Sequence, residues 1–195
     1  MPRLVLINGA PASGKSTLAR LLAQDRALTL VLDIDSIRGC LGLWEQDPIA
    51  AGMAARRLAV NMATTHLAAG ADVFVPQFLG RADFVVELEA TAASVGAEFY
   101  EVALVSSPQE ASERFEARST SDEPNHRDAR KLQDGPGAVS ITAMYEGLLS
   151  MTGTRPRTIY IETVPGRIDD ALHRLRSAIE ASTTRQHEFR APEGN

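Results

Sequence analysis

The segment Gly-Ala-Pro-Ala-Ser-Gly-Lys-Ser at residues 9–16 has the residue types and spacing of a phosphate-binding loop. Its glycines let the backbone turn its N–H groups inward, and a helix that starts at the loop directs its positive end to phosphate oxygens. We expect Lys15 to reach the β- and γ-phosphates of ATP and the Ser16 hydroxyl to ligate Mg²⁺. The predicted nucleotide-binding residues are Gly9, Ala10, Pro11, Ala12, Ser13, Gly14, Lys15, Ser16 and Thr17.

A second charged segment, Asp-Ile-Asp-Ser-Ile-Arg at residues 33–38, follows the second predicted strand. In an open parallel sheet ligands bind beyond the carboxyl ends of the strands, so this segment and the loop converge on one cleft. There Asp35 could orient or deprotonate an acceptor hydroxyl and Arg38 could hold the acceptor, while Asp33 could contact the substrate or hold Mg²⁺ through water. Alternatively, Asp35 or Ser36 simply caps a helix and Arg38 is solvated.

Gln77 stands at the end of the third predicted strand, where a neutral amide can only hydrogen-bond. It could contact the acceptor or a bound water, or it could face solvent. A GTPase would need an Asn-Lys-x-Asp motif, and neither Lys15 nor Lys131, the only two lysines, lies in one. The sequence therefore favours a transferase over a GTP-dependent switch.

Short apolar runs alternate with longer helical patterns, which indicates βαβ units and a parallel sheet with helices on both faces. Gly70 and Gly96 lie at positions expected for helix C-caps, and Ser107 with Glu110 is expected to form a capping box. The predicted strands are 4–7, 28–32, 73–76, 99–105 and 158–161. The predicted helices are 15–24, 48–69, 81–95, 108–118, 138–150 and 167–181.

The 195-residue chain, 44% hydrophobic, has the composition of one globular domain, expected over residues 1–182 with a disordered tail at 183–195. Its formal charge is −5, from 20 basic and 25 acidic residues, which disfavours a surface built for nucleic acid or an anionic membrane. A single cysteine, Cys40, fits a reducing compartment, so the cytoplasm is the expected location. No apolar run approaches the roughly 18 residues of a membrane helix.

The loop, the short unit after it and the Asp33-x-Asp35-x-x-Arg38 pattern together resemble the small P-loop kinases. This group includes adenylylsulfate, gluconate and shikimate kinases, chloramphenicol phosphotransferase, the kinase end of polynucleotide kinases and zeta toxins. The resemblance implies an α/β P-loop NTPase sandwich of three layers, with a five-stranded parallel sheet in the order 2-3-1-4-5 and a mobile lid. It also implies that Asp35 is the base or orienting group and that Arg38 helps to hold the acceptor.

The resemblance also implies a role for arginines in a lid, which we place at about residues 108–137. Arg114 and Arg118 lie four residues apart on one predicted helix, and Arg127 and Arg130 follow in a polar segment. In the resembling kinases such arginines close over ATP and stabilise charge on the phosphoryl group. The alternative for Arg114 is an ordinary surface pair with Glu110.

The expected activity is therefore transfer of the γ-phosphoryl group of ATP to a hydroxyl of a small molecule, with Mg²⁺. The expected catalytic residues are Lys15, Asp35, Arg118 and Arg114; Asp33, Asp35, Arg38 and Gln77 are expected to contact the substrate, and Ser16 and Asp33 the metal. Two alternatives stay open: an ATP-dependent switch without a small-molecule acceptor, and a kinase for nucleic-acid 5′ ends.

Overall fold

One parallel sheet of five strands forms the middle of the molecule. The computed structural model describes residues 1–107, 110 and 139–189, with side chains up to residue 181. The strands are β1 (Arg3–Gly9), β2 (Leu30–Val31), β3 (Val73–Pro76), β4 (Glu98–Val105) and β5 (Ile159–Glu162). Their order is β2-β3-β1-β4-β5, and every neighbouring pair is parallel. The predicted strand order is thus confirmed.

Helices follow the strands and return the chain to the amino edge of the sheet. In chain order they are α1 (Lys15–Ala23), α2 (Ile34–Gly39), α3 (Pro48–Ala68), α4 (Asp83–Ser94), α5 (Ile141–Gly153) and α6 (Ile168–Phe189), with a 3-10 turn at Trp44–Gln46. The Asp47 side chain caps α3 by accepting a bond from the Ala50 amide, and Ser140 caps α5 in the same way through the Ala143 amide.

Alternate residues of β1 supply two separate apolar cores. Leu4 and Leu6 pack with residues of α3, α4 and α5 on one face of the sheet. Val5 and Ile7 pack with residues of α1 and α6 on the other face. Because successive side chains of a strand point to opposite faces, this pattern produces three layers, helix, sheet and helix.

The structure differs from the predicted elements at the second strand, at α2 and at the last helix. The second strand is only two residues long, because Leu28 has φ +56° and is largely exposed, which turns the chain before Leu30. The helix α2 was not among the predicted helices, because six residues are too few to show a helical period. The last helix continues to Phe189 rather than ending at 181, since no glycine or proline interrupts residues 168–189.

The helix α6 therefore runs into the segment 183–195 that was expected to be disordered. No helix in the part of the chain that the structure describes is both long and apolar enough to cross a membrane.

Candidate nucleotide and acceptor site

The phosphate loop connects the end of β1 to the first residue of α1. Gly14, with φ +90°, precedes the helix in the left-handed conformation that glycine adopts without strain. The Ser13 amide donates to the Ala10 carbonyl at 3.2 Å and the Lys15 ammonium donates to the same oxygen at 2.8 Å. The lysine therefore lies across the loop, at the positive end of the α1 dipole.

Gly9 and Ser13 form the base of this loop. A Cβ on Gly9 would lie 2.5 Å from Ser13 Oγ and 3.1 Å from Leu104 Cβ, so a larger residue there would force its neighbours in the loop to shift. The buried Ser13 Oγ has no hydrogen-bond partner among the described residues. A closely packed turn with an unsatisfied hydroxyl and a helix N-terminus suits the binding of phosphate oxygens.

Asp33 caps the helix α2 at the carboxyl end of β2. Its Oδ1 accepts bonds from the amides of Asp35 at 3.1 Å and Ser36 at 3.2 Å. The predicted alternative of a cap in this segment is thus realised, but by Asp33 rather than by Asp35 or Ser36. Both bonds use Oδ1 of Asp33, and Oδ2 takes part in neither of them. Asp33 is fixed by the backbone of α2, whereas Asp35 projects from its first turn.

Asp35 and Arg38 form an ion pair one turn apart on α2. Arg38 Nη1 lies 3.0 Å from Asp35 Oδ1; the Arg38 side chain is 13% exposed and that of Asp35 46%. The Arg38 guanidinium stacks 4.9 Å from the centre of the Trp44 ring, and its buried Nε has no partner among the described residues. The arginine is therefore held between Asp35 and Trp44, and it is not freely solvated.

Gln77 lies beside the phosphate loop because β3 pairs with β1 up to its last residue. Its amide donates to the Ile7 carbonyl at 3.1 Å. Its side-chain Oε1 is buried and has no partner among the described residues. This environment of Oε1 fits a contact to a bound group, although Gln77 as a whole is only partly buried.

Asn8 is a site residue that the sequence analysis did not identify. It is fully buried at the end of β1, and its side chain bonds to the backbone of both Gly9 and Leu79. The available signal was a single amide side chain at the end of the otherwise apolar run before the loop, residues 4–7. Trp44, which from the sequence could line the acceptor pocket or be a packing anchor, stacks on the Arg38 guanidinium.

The four predicted lid arginines, Arg114, Arg118, Arg127 and Arg130, and nearly all of the predicted lid at 108–137, lie outside the described residues. The predicted capping box at the start of this segment is confirmed. The Ser107 amide donates to Glu110 Oε2 at 2.9 Å, and the Glu110 amide donates to Ser107 Oγ at 3.2 Å.

The donor set at the loop fits a hard cation shared with phosphate. Ser16 is half-buried at the start of α1, and Asp33 follows β2 at the same carboxyl edge of the sheet. Among the described residues, no group of three histidine, cysteine or acidic side chains could hold a metal ion alone. A Mg²⁺ ion here would thus need phosphate oxygens and water beside Ser16, as Mg²⁺ usually does.

A phosphate loop between β1 and α1, in a parallel sheet ordered 2-3-1-4-5, defines a P-loop protein with the fold of the small kinases. The chain belongs to a family described as AAA domain, whose model matches residues 4–137. No curated protein matches the chain in sequence.

Three solved structures show the same fold over nearly the whole chain. A gluconokinase from Sinorhizobium meliloti 1021 has a TM-score of 0.60 at 14% sequence identity; the match covers 97% of this chain and 98% of the gluconokinase chain. The APS kinase of Mycobacterium tuberculosis in complex with AMPPNP and APS has a TM-score of 0.63 at 22% identity, covering 92% and 98%. Shikimate kinase from Acinetobacter baumannii in complex with shikimate has a TM-score of 0.60 at 18% identity, covering 93% and 94%.

Proposed function

We propose that this protein is an ATP- and Mg²⁺-dependent phosphotransferase that moves the γ-phosphoryl group to a hydroxyl of a small molecule. The observation that carries the proposal is the position of the Asp35–Arg38 pair after β2, at the same carboxyl edge of the sheet as the phosphate loop after β1, with β3 between the two strands. A nucleotide site alone would serve many functions. A carboxylate and a held arginine beside it supply the groups that an acceptor hydroxyl needs.

In the proposed reaction, the acceptor oxygen attacks the γ-phosphorus as the bond to the β-phosphate oxygen breaks, which releases ADP. Asp35 accepts or orients the hydroxyl proton, and Arg38 binds the acceptor through its remaining donors. Lys15 turns from the Ala10 carbonyl to the β- and γ-phosphate oxygens. Arg118 and Arg114 are proposed to stabilise charge on the transferring group.

Ser16 and Asp33 are the residues that would hold Mg²⁺, Ser16 through its hydroxyl and Asp33 through water at Oδ2. When bound, Mg²⁺ neutralises charge on the β- and γ-phosphate oxygens. Gln77 is proposed to accept a hydrogen bond from the acceptor or from such a water through its buried Oε1. The proposed location is the cytoplasm.

The test is a comparison of Asp35→Asn with the unaltered protein. The probes are small hydroxyl compounds, starting with gluconate, shikimate and adenylylsulfate, which relate to the structural neighbours. ADP formation is measured for each, and an accepted compound is then used for both proteins. Asp35→Asn should bind AMPPNP normally and lose at least about a hundredfold in transfer rate, as expected for loss of a general base.

Asp170→Asn is the matched control, because this acid lies on α6 in a surface pair with Arg167. It should keep full activity. If Asp35→Asn retains full activity on an accepted compound, the assigned role of Asp35 is wrong.

A second candidate function is an ATP-dependent switch without an acceptor. Gln77, where an acid would support metal-bound water, favours it. This function predicts that no hydroxyl compound, and no oligonucleotide with a free 5′ end, raises ADP formation above the rate with ATP alone. It also predicts an ATP-dependent change in binding to a partner.

A further inference from the structure

Asn8 links two backbone segments that border the proposed site. Its Oδ1 accepts bonds from the Gly9 amide at 2.8 Å and from the Leu79 amide at 2.9 Å. Its Nδ2 donates to the Leu79 carbonyl at 2.9 Å. The side chain is fully buried, so it offers these bonds without competition from water.

The segment after β3 depends on this side chain for its position. Pro76 is the last residue of β3, and the next backbone bond holds the Gln77 amide to the Ile7 carbonyl. Two residues later both polar groups of the Leu79 backbone bond to Asn8. Gln77, with its unpartnered Oε1, therefore lies between two attachment points that are both on β1.

The phosphate loop has other bonds that hold its shape. The Ser13 amide and the Lys15 ammonium both bond to the Ala10 carbonyl, and the Leu18 amide bonds to the Gly14 carbonyl. Asn8 contributes a bond to Gly9, which is the first residue of the loop. Loss of Asn8 should thus release the segment after β3 more than it disturbs the loop.

We propose that Asn8 is a positioning residue that fixes Gln77 relative to the phosphate loop by binding the Leu79 backbone. The kinetic part of this inference rests on the proposed phosphoryl transfer. Its structural part, the coupling between the loop and the segment after β3, does not.

A double-mutant cycle tests the kinetic part, with Asn8→Ala, Gln77→Ala and the combined variant. Each single change should lower kcat/KM for the accepted hydroxyl compound about tenfold or more, since each removes hydrogen bonds at a buried position. The combined variant should lose little beyond the larger single effect, because Asn8 acts through Gln77. The Kd for AMPPNP should change less than about threefold in all three.

Asn61→Ala is the control for general effects, since Asn61 is an exposed residue of α3. It should leave every constant unchanged. Asn8→Ser serves if Asn8→Ala does not fold: its hydroxyl stays neutral at this fully buried position, and a single short hydroxyl cannot replace both bonds to the Leu79 backbone. Asn8→Ser should lower kcat/KM for the acceptor with the AMPPNP Kd retained.

Hydrogen exchange of single amides in the unaltered protein tests the structural part. Saturating AMPPNP should slow exchange of the Leu79 amide by about tenfold or more if the loop and the segment are coupled. The Ala97 amide, which bonds to Ala92 before β4 at the opposite edge of the sheet, should not change.

Fully additive effects of Asn8→Ala and Gln77→Ala on kcat/KM would overturn the positioning role. A Leu79 amide whose exchange ignores AMPPNP would overturn the coupling. If no hydroxyl compound is ever phosphorylated while Leu79 still responds to AMPPNP, the proposed function fails and the coupling stands.

Discussion

Two glycines, Gly9 and Gly52, differ in the space available for a side chain. Gly9 is crowded in the phosphate loop, whereas Gly52 is uncrowded in a helix. Gly9 stands where a Cβ would collide with Ser13 Oγ in the phosphate loop. Gly52 lies inside α3 with nothing within 4 Å of the position that a Cβ would take. Replacement by alanine should therefore impair nucleotide binding at Gly9 and stabilise the fold at Gly52.

We expect Gly9→Ala to weaken AMPPNP binding at least about tenfold, because overpacking of this size costs roughly 1–3 kcal/mol and must be relieved by moving the loop. Isothermal titration with Mg²⁺ and AMPPNP measures the change. Gly52→Ala should bind the nucleotide normally and raise the free energy of unfolding by about 0.5–1 kcal/mol, since alanine is the better helix former. Equal affinities of the two variants would contradict the assigned role of Gly9.

At the scale of single residues, the sequence predicted the phosphate loop because its motif is local and complete. The sequence suggested Asp35 or Ser36 as the helix cap, whereas Asp33 caps α2. Three residues that can cap a helix occur within these four positions, so the sequence does not distinguish them. Asn8 was missed because its partner Leu79 is 71 residues away in sequence. No local pattern contains such a pairing.

At the scale of elements, a buried charge cluster joins β4, α4 and the turn before β5. Arg155 bonds to Glu101 on β4 and, at 2.8 Å, to Glu89 on α4. Burial alone lowers the pKa of Arg155, but its hydrogen bonds to Glu101 and Glu89 outweigh that effect and raise the pKa. Arg155 thus stays charged wherever the protein is folded, and it compensates the 3% exposed Glu101 side chain.

Arg155→Met should lower the free energy of unfolding by about 3–5 kcal/mol, because it leaves Glu101 buried without a counter-charge. Arg157→Met is the matched change, since Arg157 pairs with the same Glu89 but its side chain is 82% exposed. That variant should lose less than about 1 kcal/mol. Urea unfolding followed by circular dichroism distinguishes the two, and similar losses would show that the cluster acts as a surface pair.

A second contact between elements fixes the end of β4. The Tyr145 hydroxyl on α5 accepts a bond from the Ser106 amide at 3.1 Å and donates to the Ser106 carbonyl. Tyr145→Phe should reduce the free energy of unfolding by about 1 kcal/mol, because both backbone groups lose a partner. Tyr160→Phe on β5, where the ring is half exposed, should have no effect in the same urea titration. A neutral Tyr145→Phe would mean that water replaces the hydroxyl at no cost.

Element boundaries were predictable where a residue with a special conformation marks them. Gly70 and Gly96 follow α3 and α4 with φ +90° and +69°, as the C-cap prediction requires. Leu28 adopts a similar φ, but leucine gives no such signal in a sequence, so the predicted second strand began too early. The strand order followed from the family resemblance, because pairing between distant strands has no local signature.

At the scale of the whole molecule, much of the basic charge is used inside the fold. Arg3 and Arg26 both pair with Asp72, at 2.9 and 3.5 Å, where β1, α1 and β3 approach one another at the amino edge. Arg176 on α6 bonds to Asp25 after α1. The net charge of −5 thus coexists with a held arginine, Arg38, at the site. Arg3, Arg26 and Arg176 instead stabilise contacts between elements.

The last prediction concerns the stability of the whole chain with nucleotide. Because ATP binds only the folded protein, a concentration of one hundred times Kd should add about 2.7 kcal/mol to the free energy of unfolding. For a chain of this size, that corresponds to a rise in Tm of about 5–10 °C. Differential scanning calorimetry with AMPPNP and Mg²⁺ measures it. Lys15→Met should abolish most of the rise while leaving the Tm without nucleotide nearly unchanged, since the Lys15 ammonium bonds to the Ala10 carbonyl of the phosphate loop and Lys15 belongs to neither apolar core. If the Tm of the unaltered protein does not respond to saturating AMPPNP, the loop at residues 9–16 does not bind this nucleotide, and both proposed functions fail together.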